Sequence, residues 1–343
     1  MTTKPLRVLV LMHEDLIPPE KPPEGANLAT VDWKTEYDVV TTLRDMGHEV
    51  RPLGLRNNLS VIREAIDEWK PDIAFNLLEE FDGVAVYDQN VVSYLELLKM
   101  PYTGCNPRGL MLAHDKSLAK KILSYHRIAS PDFFECPAGE KVKRPKRLDF
   151  PLIVKSVSEE ASLGISQASI VTDDAKLKER VAFIHGTVGT GALVERYIEG
   201  RELYVGVLGN RHLQVLPVWE LVMDKMPEES RKIATERVKW SHKYQTKYGI
   251  TSGAAKDLPN GTAGEIQRIA KRVYRILGLS GYARIDLRLD PNQKVYVLEA
   301  NPNAQIAHDE DFADSAARAG IAYKTLLQRI LDMGLRWRPG RTL

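Results

Sequence analysis

Cysteine is nearly missing: the 343 residues hold 2, Cys105 and Cys136, too few for a disulfide framework or a zinc site. A long apolar run is missing as well, so no segment reads as a membrane span. The opening "MTTKPLRVLVLMHED" has a short apolar core broken by Arg7 and then turns acidic, which reads as a first strand and not as a signal peptide. Neither sign of charge dominates, since 48 Lys and Arg against 46 Asp and Glu leave a net +2. That balance argues neither for nor against a polyanionic partner. Two phosphate-binding signatures are absent too. No G-x-G-x-x-G follows the first strand and no G-x-x-x-x-G-K-[ST] occurs, which excludes the dinucleotide-binding and Walker-type sites. "GTVGTG" at 186–191 comes nearest, but it has no Lys and leads into a strand, so it reads as a turn. The expectation is a soluble, cytoplasmic protein with no membrane or nucleic-acid partner.

What is present points to an enzyme-sized α/β chain. Hydrophobic residues at 43% and charged residues at 27% are ordinary for a globular protein, and 343 residues exceed a single core, so two or three domains are expected. The first hundred residues alternate predicted strands (6–12, 48–53, 72–78) with predicted helices (33–47, 59–70, 86–100). That order implies a parallel sheet wrapped by helices, whose ligands sit at the carboxyl ends of the strands. Those ends carry His13, Glu14, Asp15, Glu79 and Glu80, an acidic rim. Turn chemistry at 104–107 marks a boundary, and Asp115 starts a helix. "KVKRPKR" at 141–147 lacks interleaved aromatics and reads as a solvated connector. A strand ending at Lys155, a small polar loop through Gly164 and a second strand from Ile165 can fold over phosphates. Residues 227–258 are polar and irregular in pattern, a disordered stretch or a lid. An amphipathic helix follows at 262–278 and a closing helix at 315–333.

The sharpest chemistry is at the end of the last strand. "YVLEANPNAQIAHDE" (296–310) places Glu299 and Asn301 two residues apart, on one face of a strand that Pro302 closes. The preceding hairpin strand, 282–289, puts Arg284, Asp286 and Arg288 on one face. Pairing Asp286 with Glu299 sets like charges side by side, which is unfavourable unless a cation lies between them. Magnesium, which takes one or two carboxylates together with substrate phosphates, is the economical explanation, and Arg284 points to an anion nearby.

These blocks resemble the ATP-grasp superfamily, and within it the D-alanine–D-alanine ligase branch. "FNLLEEFDG", "PYTG", "HDKSLAKKIL", "FPLIVKSVSEEASLG", "LVERYIEGRELYVGVLG", "KYQTKYGI" and "GYARIDLRLD…YVLEANPN" occur in the family's order over nearly the whole chain. The resemblance implies an α/β protein of ATP-grasp fold, two α+β subdomains (105–193 and 194–343) gripping ATP, preceded by a small parallel-sheet domain (1–104). It implies ATP and two magnesium ions, with manganese as a substitute, and a reaction in which a carboxylate is phosphorylated and an amine then forms an amide. By residue, it implies that Lys116 and Lys155 hold the phosphates under a loop containing Ser162. Glu195 meets the adenine amino group, Tyr197 and Ile198 border the ring, and Glu202 binds the ribose. Lys247 and Tyr248 close on the γ-phosphate, Asp286, Glu299 and Asn301 bind metal, and Arg284 stabilises the tetrahedral intermediate. A homodimer is the assembly it implies.

The departures fall where the amino-acid substrates should lie. Gln305 stands where the family carries glycine, Glu310 and Asp311 replace the Ser-Leu pair that takes the acceptor carboxylate, Glu79 replaces a His and Ala161 a Ser. Glu14 is the candidate for the acid that meets a substrate ammonium. Two acids in place of a carboxylate-binding site repel a carboxylate. The expectation is therefore a carboxylate–amine ligase with small-molecule substrates, whose acceptor is not simply D-alanine and carries a cationic group, as in a basic amino acid, a polyamine or a peptide amine. The alternatives are a D-alanine–D-alanine ligase proper and a nucleotide-binding regulator without turnover.

Overall fold

The computed structural model describes residues 4–158, 164–227 and 230–340. Among these, three sheets organise the chain. The first is parallel, with strands Glu49–Leu55, Arg7–His13 and Ile73–Asn76 in that spatial order. Its middle strand is an unbroken buried run, Val8 to Met12, because both faces are covered, as a parallel sheet requires. Helices Lys34–Asp45 and Ser60–Trp69 make the connections. One face packs on the last helix, Tyr323–Arg336, through Leu326, Leu327, Ile330 and Leu331.

The largest sheet has six strands. Five run in the order Ile250–Ala254, Trp219–Met223, Arg201–Leu208, Tyr282–Leu289, Val295–Pro302, and Gln214–Val215 adds to Arg201–Leu208. Its pairs are antiparallel and its two faces differ in kind. Leu203, Val205, Val207, Ile285, Leu287 and Leu289 enter the core under helix Thr262–Ile276. The alternating positions, Glu202, Tyr204, Arg284, Asp286 and Arg288, form the other face. The third sheet is small, with strands Phe133–Cys136, Ala192–Arg196, Leu152–Ser156 and Ile170–Val171 in spatial order, and it is covered by helix Asp174–Phe183.

Several local expectations change. Residues 227–258 are not irregular throughout: Thr235 caps helix Glu236–Trp240, Ser241 caps helix His242–Tyr248, and strand Ile250–Ala254 joins the edge of the large sheet. Helices this short show no usable periodicity, and only their capping residues mark them. The strand expected from Ile165 forms at Ile170–Val171, after a turn of 3-10 helix at Gln167–Ser169. "GTVGTG" is partly helical, since a widened turn spans Ile184–Val188 and Gly189, in the left-handed region at φ 79°, ends it. The single closing helix is two, Asp311–Arg318 and Tyr323–Arg336, separated at Gly320 with φ 79°. No helix among the described residues is long and apolar enough to cross a membrane.

Candidate active site

A cleft of about 790 Å3, part of it open to solvent, lies between the small sheet and the polar face of the large one. Lys155 and Glu195 enter it from the small sheet, Glu202, Asp286, Arg288 and Glu299 from the large sheet. Lys116 enters from the start of helix Lys116–Tyr125, whose cap Asp115 accepts a hydrogen bond from the Leu118 N–H at 2.8 Å. The cap therefore sets where the first lysine points. Tyr197 and Ile198 also line the space.

Glu195 is enclosed by charge. Its Oε1 is 3.2 Å from Lys120 Nζ and its Oε2 is 3.3 Å from Lys155 Nζ. Burial would raise the Glu195 carboxyl, but Lys120 and Lys155 together hold it below the usual carboxylate range. Lys155 is also buried, yet Glu195 and Glu299 keep its ammonium favoured above the usual range. Beside them, Arg288 was on the expected face but had no assigned role. It donates to the Ile198 carbonyl at 3.1 Å and, through Nη2, to the Glu202 carboxylate. One guanidinium thus ties the carboxylate matched to the ribose to the backbone matched to the adenine.

The carboxylate pair forms as the hairpin implied: Asp286 is directly opposite Glu299, and Arg284 opposite Asn301. An irregularity makes this happen. Leu287 pairs with Val297 and Asp286 with Glu299, so Leu298 is an extra, bulged residue. Without the bulge, Glu299 would share the core-facing side of Val295 and Val297; with it, Glu299 and Leu298 both line the cleft. Arg284 donates two bonds to Asp286, at 2.8 and 2.9 Å. Burial raises the Asp286 carboxyl and Glu299 adds to this, while Arg284 opposes it. Among the described residues no three His, Cys, Asp or Glu side chains converge on one point. Two carboxylates and an amide oxygen remain as donors, all hard, and they fit magnesium, which completes its shell with phosphate oxygens and water.

The other expected residues are distributed differently. Lys247 and Tyr248 do not line the cleft; Lys247 Nζ lies 4.9 Å from the Tyr248 ring centre, and Tyr248 packs on Tyr244 at 4.6 Å. Lys239, one helix earlier, reaches the cleft and acts electrostatically on Asp286. Ser162 and Ala161 lie outside the described residues. Glu14 is exposed and bridges Arg56 at 2.6 Å. Glu79 is exposed, Glu310 is partly buried, and Asp311 receives a hydrogen bond from Ser252. Burial raises the Glu310 carboxyl, Asp311 adds to this, and Lys34 and Arg284 oppose it. Gln305 Nε2 lies 3.5 Å from Thr35 Oγ1, on the first helix.

That helix carries a carboxylate absent from the expectations, Glu36, which is 4% exposed and whose Oε2 has no hydrogen-bond partner among the described residues. Burial pushes its carboxyl up to about 7, with Glu79 contributing. A signal existed: Glu36 falls three and four residues before Val39 and Val40, on the buried stripe of the helix.

Residues 116–332 match the family model described as D-ala D-ala ligase C-terminus. Among curated relatives, the D-alanine–D-alanine ligase of Desulforudis audaxviator is 30% identical over 311 residues, 88% of this chain and 93% of that protein. An uncharacterized protein of Sinorhizobium fredii, y4sG, is 28% identical over 326 residues, 93% of this chain and 90% of that one. Among solved structures, the D-alanine–D-alanine ligase of Bacillus anthracis complexed with ATP superposes with a TM-score of 0.74 at 24% identity, covering 96% of this chain and 98% of that one, a likeness of fold. With a family model spanning more than half of its length and a relative this similar across nearly all of it, the chain belongs to the D-alanine–D-alanine ligase family of ATP-grasp proteins.

Proposed function

We propose that the protein is an ATP-dependent carboxylate–amine ligase that forms an amide through an acylphosphate. The observation that supports this best is the meeting of the Asp286–Glu299 pair with Lys116 and Lys155 around one cleft. Phosphoryl transfer needs positioning and charge neutralisation more than covalent help. Lys116 and Lys155 supply positive charge to the phosphates, and Ser162, which lies outside the described residues, is assigned to them by the family resemblance alone. Glu195 accepts from the adenine 6-amino group, Tyr197 and Ile198 border the ring, and Glu202 takes the ribose hydroxyls. Asp286, Glu299 and Asn301 would hold two magnesium ions, or manganese in their place, which when bound neutralise phosphoryl charge.

The donor carboxylate oxygen attacks the γ-phosphorus and ADP leaves. The amine nitrogen then attacks the acyl carbon, phosphate leaves, and the nitrogen loses a proton, so the product is one water lighter than the two substrates. Arg284, on the same sheet face, stabilises the tetrahedral intermediate. Lys247 and Tyr248 do not line the cleft, so this reading requires their segment to move toward the γ-phosphate when nucleotide binds. An ATP-consuming ligase works where ATP is supplied, which places the activity in the cytoplasm.

The acceptor in this reading is not simply D-alanine and carries a cationic group. Glu310 and Asp311 repel a carboxylate, and the exposed Glu79, just after the third strand, adds negative charge. Replacing Glu310 by Gln raises the acceptor KM roughly tenfold, the worth of about one charge-assisted hydrogen bond, with ATP binding unchanged; Glu79→Gln acts in the same direction. Wild-type acceptor kinetics in both variants would remove the cationic acceptor from the reading. A D-alanine–D-alanine ligase proper is the second reading, favoured by the names of the relatives. Phosphate release from Mg-ATP against D- and L-amino acids, peptides and polyamines, singly and in pairs, with mass spectrometry of products, separates the two. D-alanine alone sufficing supports the second, and a mixed pair with a cationic member supports the first.

A further inference from the structure

Lys120 has no part in the reaction above, yet it is one of the most deeply buried charges in the molecule. Its side chain is 2% exposed, and Nζ lies 3.2 Å from Glu195 Oε1 and 5.9 Å from the centre of the Phe133 ring. Among the described residues no atom gives Lys120 Nζ an aligned hydrogen-bond acceptor, so it is held by charge. Lys155 Nζ stands 3.3 Å from the other oxygen of Glu195. One carboxylate therefore lies between two lysine nitrogens, but only Glu195 and Lys155 line the cleft, and Lys120 acts from behind.

Burying an ammonium costs several kcal/mol, and ion pairs placed only to fill a core are commonly replaced by apolar residues without loss. The arrangement has a chemical consequence instead. An ionised carboxylate only accepts hydrogen bonds, whereas a protonated one can also donate. Burial favours the protonated form, and nearby cations favour the ionised form. Lys155 is one such cation, but it is also assigned to the phosphates. Once it turns to them, Lys120 is the cation that remains on Glu195.

We propose that Lys120 is a positioning residue for purine selectivity: together with Lys155 it keeps Glu195 an acceptor only, so that a 6-amino purine nucleotide is taken and a 6-oxo purine nucleotide is refused. This rests on the reading of Glu195 as the partner of the adenine amino group. A buried group built to pair with one substrate discriminates strongly against an analogue that leaves it unpaired.

The test is equilibrium binding of Mg-ATP and Mg-ITP to the full chain, with no acceptor present. ITP carries a 6-oxo group in place of the amino group. The wild-type protein is expected to favour ATP by about a hundredfold, and Lys120→Met to shrink that ratio by roughly tenfold or more, as follows when a charge-assisted hydrogen bond loses its preference. Lys120→Arg, which keeps the charge, is expected to restore the ratio. If thermal melting shows that Lys120→Met does not fold, Lys120→Gln carries the same comparison. Equal weakening of both nucleotides with the ratio intact would mean that Lys120 only supports the packing, and the proposal would be overturned while the ligase reading stood. A wild-type protein that bound neither nucleotide would overturn both.

Discussion

Glu36 faces inward from the first helix, and its cost is a matter of protons. Its carboxyl would titrate at 4.5 in the unfolded chain and is pushed up to about 7 by burial, with its own backbone N–H opposing and Glu79 adding. The folded state therefore holds the proton more tightly than the unfolded one between these values. Its contribution to stability is full below 4.5 and is lost as the pH rises through 7, by roughly 3 kcal/mol at most. Glu36→Gln keeps the shape and removes the titration. It is expected to raise the melting temperature by several degrees at pH 8 and hardly at all at pH 5. Equal shifts at both values would show that the charge is not the source.

At the scale of an element, helix Lys116–Tyr125 shows how a cap becomes part of a site. Asp115 satisfies the Leu118 N–H and so fixes the first turn, whose opening residue is Lys116. Asp115→Ala is expected to cost about 1 kcal/mol, read by denaturant unfolding, and to raise the dissociation constant for Mg-ATP as the first turn frays. Asp115→Asn keeps an accepting oxygen and should restore both; failure to restore either would assign the effect to charge and not to the cap. The bulge at Leu298 is a second such device, because one extra residue turns Glu299 out of the core and toward Asp286.

At the scale of the whole molecule, the parallel sheet and the large sheet are joined by a close backbone crossing. Gly281, at φ 69°, stands so near Gly104 that an added Cβ would lie 2.4 Å from the Gly104 carbonyl oxygen. The crossing is stitched by the Cys105 N–H donating to Asn303 Oδ1 at 2.7 Å and by Asn106 Nδ2 donating to the Gly278 carbonyl at 2.8 Å. Backbone cannot yield as a flexible side chain can, so Gly281→Ala combines a clash with an unfavourable φ and is expected to destabilise by more than about 2 kcal/mol. Thermal unfolding measures this, and a melting temperature within a degree of wild type would show that the crossing relaxes.

The hairpin and the alternation of its two faces were legible in the residues alone, because a strand's period of two and a turn's chemistry are local properties. The Asp286–Glu299 pair was expected from that hairpin, but its register depends on the bulge at Leu298, which no period specifies. The order of strands and helices in the first hundred residues was legible for the same reason. The roles of Lys120, Arg288, Lys239 and Glu36 were not, since a charge reads alike on a solvated face and in a core until its partner is placed. Arg288 meets Ile198 and Glu202, and Lys120 meets Glu195, across turns of the chain that no pattern specifies. The hairpin's local order came from the residues themselves; the cleft, with two lysines closed around one carboxylate, came only from packing one sheet against another, because electrostatic partners are chosen by distance in space and not along the chain.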